Sequence, residues 1–132
     1  MNLPKNALVA VVDGEKLVLF KNTGDREPEL TSVPRPDIDA HGVGSGGHQS
    51  SASNPDNDTQ AEDGFAAGVA DVLNKWALAG KMEHLYVVAA PKTLGELRKH
   101  WHKALSALLV GELAKDLTGR SGPEIAHAIA AA

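Results

Sequence analysis

The chain has 132 residues, with 13 Lys and Arg against 17 Asp and Glu, no cysteine, and 4% aromatic residues. Without cysteine there is no disulfide framework, thiolate zinc site, iron–sulfur cluster or cysteine nucleophile. A net charge of −4 lacks the basic footprint of an autonomous nucleic-acid binder, and no apolar run approaches the ~20 residues of a membrane span. The expectation is one cytoplasmic domain over residues 1–132 with no membrane segment or export leader.

The first third reads as strands. Ala7–Val12 is a continuous apolar run of the kind that forms a strand buried on both faces. Asp13-Gly14 marks a tight turn, since both residues tolerate positive φ. Lys16–Phe20 returns as the second strand of a hairpin, and Glu29–Val33 follows as a third, stopped by Pro34 and Pro36. The economical arrangement is a β-meander.

Residues 40–60 hold four Gly and four Ser, with only Ala40, Val43 and Ala52 apolar. Such a segment buries too little to offset its ordering entropy, so a flexible loop is expected. Long loops of this kind are often functional.

The last part alternates helix and strand. Thr59-Gln-Ala-Glu62 fits a capping box opening a helix, along which Phe65, Val69, Val72 and Trp76 recur at helical spacing until Gly80. His84–Ala90 is a buried strand. Thr93-Leu-Gly-Glu96 fits a second capping box, opening one helix with Leu94, Leu97, Trp101 and Ala104 or Leu105 inward. Leu108–Leu113 returns to strand, with continued helix as the alternative. Ser121-Gly-Pro-Glu124 is a third capping box, before Ile125, Ala128 and Ile129. A meander followed by alternating helices and strands implies an α/β sandwich with a mixed sheet.

Gly42-Val-Gly-Ser-Gly-Gly47 matches the dinucleotide-binding expression, but the next helix begins too far downstream to meet a pyrophosphate. His41 and His48, near Asp37, Asp39, Asp56 and Asp58, lack the rigid frame and ligand spacing a metal needs. No metal and no cofactor is therefore expected. Lys115-Asp-Leu-Thr-Gly-Arg120 sits at the end of a predicted strand, where α/β sheets tend to bind ligands. The ordinary alternative is that Asp116 and Thr118 simply tie down that turn.

Val87-Val-Ala-Ala-Pro-Lys-Thr-Leu-Gly-Glu-Leu-Arg98 and Glu112-Leu-Ala-Lys-Asp-Leu-Thr118 together resemble the bacterial host attachment protein family. That family is in turn similar to the middle domain of archaeal and eukaryotic peptide-chain release factors. Members of the first are described as required for attachment to host cells. The resemblance implies a non-enzymatic intracellular binding protein that influences attachment indirectly. Its contacts with an unknown protein partner would come from Lys115, Asp116, Thr118, Arg98 and Lys92. The release-factor domain carries a Gly-Gly-Gln loop where Gly46, Gly47, His48 and Gln49 fall here, with His48 interrupting the triplet. That likeness implies the alternative function: a translation-associated factor that binds ribosome or tRNA and assists peptidyl-tRNA hydrolysis. Lys92, Arg98, Lys99, Lys103 and Lys115 supply local positive charge for it.

Overall fold

A computed structural model describes residues 3–38 and 57–132. The expected flexible loop and the Gly46–Gln49 segment fall outside these residues, except that residues 57–60 are already helical.

Strand β1 (Leu8–Val12) is buried along its whole length, as the unbroken apolar run predicts. It pairs antiparallel with β2 (Leu17–Asn22), which pairs antiparallel with β3 (Leu30–Val33). The meander is borne out. Its first turn is closed differently from the expected positive-φ pair. The Asp13 carboxylate accepts the backbone N–H groups of Glu15 and Lys16 at 2.8 and 2.6 Å, and Gly14 keeps a negative or extended φ.

Helix α1 (Asn57–Leu78) starts earlier than the Thr59 capping box predicts, so Thr59 lies inside the helix. Its end follows expectation. Gly80, at φ +73°, takes the left-handed position, Lys81 N–H donates to Trp76 O, and Gly80 N–H donates to Ala77 O. This pair of bonds satisfies carbonyls the helix itself leaves open.

Strand β4 (Leu85–Ala89) pairs parallel with β1, so α1 is the crossover between them. Helix α2 (Pro91–Arg98) begins two residues before the second predicted capping box. Pro91, preset at a helical φ with no N–H to satisfy, opens it, and no side chain caps Ala90. The predicted single helix is in fact two. After α2 the chain turns, and α3 (Lys103–Ser106) starts afresh under a cap in which His102 Nδ1 accepts Ala104 N–H. The break is held from outside. Asn74 on α1 donates through Nδ2 to His100 O and accepts His102 N–H at Oδ1, both at 2.8 Å. Leu94, Leu97 and Leu105 still face inward as predicted.

Strand β5 (Leu109–Ala114) confirms strand over continued helix and lies parallel to β4. Helix α4 (Gly122–Ala131) carries the third capping box in full: Glu124 N–H donates to Ser121 Oγ, and Ser121 N–H donates to the Glu124 carboxylate.

The sheet order is β3-β2-β1-β4-β5. Alternation along the strands splits the core. Leu8, Ala10, Val12, Leu85, Val87 and Ala89 face α1, α2 and α3, while Val9, Val11, Phe20, Tyr86 and Val88 face Ile125 and Ile129 of α4. The fold is the expected α/β sandwich with a mixed sheet.

Candidate functional site at the carboxyl ends of the parallel strands

The three parallel strands β1, β4 and β5 end at one edge of the sheet. In open α/β sheets this is where backbone ends and loops leave room for a ligand. Each strand hands over there to a polar residue or a helix start: Asp13 after β1, Pro91 and Lys92 after β4, and Lys115 and Asp116 after β5.

Hydrogen bonds and packing join them. The Thr118 hydroxyl lies 2.9 Å from Asp13 Oδ2 and 2.8 Å from Asp116 Oδ1. It has one proton, so it donates to one of the two carboxylates at a time. Thr118 N–H also donates to Asp116 Oδ1 at 3.3 Å, so the expected tying of the turn is present. One residue past Asp13, an added Cβ on Gly14 would stand 2.7 Å from Glu62 Cγ of α1. A side chain here would push the Glu62 arm aside, so glycine leaves that arm room against the hairpin. Glu62 in turn lies 3.7 Å from Lys92 Nζ at the start of α2.

Partial burial pushes the Asp13 carboxyl up. The Glu15 N–H, the Thr118 hydroxyl, the Lys16 N–H and the Lys16 charge together outweigh it and leave the group below its ordinary value of 3.8. A lowered native pKa stabilises the fold above the ordinary value, and that contribution is lost as pH falls through the lowered one. Asp13→Asn is therefore expected to melt several degrees below the parent at neutral pH. The gap should close on acidification below 3.8. Thermal denaturation followed at several pH values checks this, and a gap unchanged in acid would refute it.

Of the predicted binding residues, Lys115, Asp116, Thr118 and Lys92 come to this edge. Arg98 does not join them. It is tied to Glu112 of β5 at 2.7 Å, and that carboxylate holds the guanidinium pKa above its usual value. The expected basic cluster is likewise reduced: Lys92, Arg98 and Lys99 face Glu62, Glu112 and Glu96 respectively. At the edge itself Lys16, Lys92 and Lys115 stand beside Asp13, Glu15, Glu62 and Asp116, so it carries no excess of positive charge. Gly46, Gly47, His48 and Gln49 lie outside the described residues, in the segment between Ile38 and Asn57. Ile38 packs on the α1 side of the core, and Asn57 begins the helix that carries Glu62 little more than a turn later.

Asp13 and Glu62 were not among the residues the sequence singled out. Asp13 reads as a hairpin residue and Glu62 as half of a capping box. Only the parallel pairing of β1 with β4 brings them to the strand ends that carry Lys92 and Thr118.

A family model described as bacterial archaeo-eukaryotic release factor family 12 matches residues 6–129. Among curated proteins, none matches the chain. The match supports the release-factor side of the resemblance and gives no support to the host-attachment side. Among the described residues, no helix is long and apolar enough to cross a membrane.

Proposed function

Because the chain belongs to bacterial archaeo-eukaryotic release factor family 12, we propose that it is a translation-associated factor that binds the ribosome or tRNA and assists peptidyl-tRNA hydrolysis. The observation that carries this reading is the family match itself, which spans every described strand, helices α1 to α3, all but the last two residues of α4, and also the segment holding Gly46–Gln49. Peptidyl-tRNA hydrolysis is an ester cleavage: water adds to the carbonyl carbon and the terminal ribose hydroxyl leaves. A side-chain amide that places the water, on a backbone slim enough to enter a crowded centre, suits that reaction. Gln49 is the residue assigned that role, and Gly46 and Gly47 supply the slim backbone.

The strand-end edge would then seat the chain on its partner through Lys92, Lys115, Asp116 and Thr118. Its lack of excess positive charge favours modest affinity with a shallow salt dependence, since few phosphates are neutralised. Two lysine–phosphate contacts correspond to a slope of about −2 in log affinity against log salt.

Co-sedimentation with ribosomes at low and high salt tests the binding step. Association at low salt, weakened by Lys92→Glu together with Lys115→Glu, is the expected result. Its absence at low salt would overturn the reading. For the chemical step, Gln49→Ala is expected to reduce peptidyl-tRNA hydrolysis by roughly a hundredfold, the scale of a lost positioning contact, while co-sedimentation is retained. Equal hydrolysis by the variant would remove Gln49 from the mechanism.

A further inference from the structure

At the opposite edge of the sheet, where β1 and β4 begin, lies a groove of about 420 Å³ lined by Asn6, Leu8, Lys21, Val33, Trp76, Gly80, Lys81, Met82 and Glu83. Its volume falls in the range of small-molecule sites, which are apolar hollows with a few convergent polar groups. The apolar part here is Leu8, Val33 and Met82, together with Trp76, which is only partly buried against the core and so leaves surface to the groove.

The polar part is Asn6, Lys21, Lys81 and Glu83, all exposed. Among the described residues neither lysine has an ion-pair partner, in contrast to Lys92, Arg98 and Lys99 at the other edge. Lys21, Lys81 and Glu83 together leave one net positive charge in a chain of net −4. Asn6 sits in the turn before β1 at φ +70°, a left-handed position that asparagine adopts readily, and its N–H donates to Asn22 O at 2.7 Å.

We propose that this groove binds a nucleotide. The planar base would lie against Trp76 and the apolar wall, and the phosphate would take the two unpaired ammonium groups. Asn6 and Glu83 would meet the base edge or ribose hydroxyls. A free mononucleotide and an unpaired nucleotide within an RNA present the same chemistry to the site.

Isothermal titration calorimetry of the full chain with the four ribonucleoside monophosphates, with adenosine, and with a short single-stranded RNA tests it. Saturable binding of at least one monophosphate is expected. Lys21→Glu and Lys81→Glu should each weaken it about tenfold or more, as expected for loss of a charge-assisted hydrogen bond. Trp76→Phe should weaken it less, and tighter binding of the RNA than of the monophosphate would identify the RNA as the source. No binding of either form, adenosine binding as tightly as its monophosphate, or affinity untouched by both lysine variants would each overturn the proposal. Both lysines are exposed, so neither variant threatens folding. The groove stands apart from the strand-end edge, so its failure leaves the translation reading intact.

Discussion

Replacing Asn22 by Leu is expected to cost about 3–4 kcal/mol of stability, the scale of stranding several buried polar groups at once. Asn22, 1% exposed, is the buried polar residue of the described core. Its Nδ2 donates to Leu3 O and Pro4 O, each at 3.0 Å, and its Oδ1 accepts from Gly24 N–H at 3.1 Å and Glu29 N–H at 2.9 Å. One side chain thus fastens the segment before β1 to the end of β2 and to the loop entering β3. Leucine fills the volume but takes the partner from Leu3 O, Gly24 N–H and Glu29 N–H, while Pro4 O keeps the Ala7 N–H at 3.1 Å. Asn22→Asp sharpens the test. It keeps the Oδ1 acceptor but turns a second, charged oxygen toward two carbonyls. Carbonyl neighbours and burial disfavour the carboxylate, so its pKa in the folded variant lies above the unfolded value. The variant should therefore be weakest at neutral pH and regain part of its stability as pH falls and the carboxyl becomes a donor. Urea unfolding at pH 7 and in mild acid measures both effects. A variant as stable as the parent at neutral pH would show that these four bonds contribute nothing net.

Ile129→Ala on α4 is expected to cost about 3 kcal/mol, or roughly 10 °C in Tm for a chain of this size. Ile129 is fully buried, and among the described elements only α4 covers the face formed by Val9, Val11, Phe20, Tyr86 and Val88. Among the described residues no second helix lies there to shift into the cavity. Leu78→Ala on α1 is the matched control. Leu78 is 61% exposed, so it should change stability by no more than about 0.5 kcal/mol. Equal effects from the two substitutions would show that α4 does not pack as described.

What the sequence revealed was what short-range physics decides. Val9 and Val11 announce a doubly buried strand because every neighbour in the run is apolar, and Ser121 and Glu124 satisfy each other's backbone within one turn. The errors arise where a distant partner or a stronger local signal prevails. Thr93 and Glu96 have the spacing of a cap, but Pro91 starts the helix first, and Glu96 instead accepts from Lys99 Nζ at 3.0 Å and pairs with His100. Leu94 to Leu105 keeps helical spacing across a break imposed by Asn74, which lies far back in the chain. The site divides in the same way. Asp116 and Thr118 were visible as a turn, whereas the hydrogen bond joining Thr118 to Asp13 spans 105 positions and leaves no trace in spacing.

Placing α4 after every strand has a consequence for synthesis. A chain emerges amino end first, and domains generally fold as units as they become available. The five described strands and helices α1 to α3 leave the exit tunnel before residues 122–131 do. Until then no described helix lies over the face of Val9, Phe20, Tyr86 and Val88, which offers apolar surface to chaperones or to neighbouring nascent chains. A stalled or truncated product would thus expose a sticky half-sandwich.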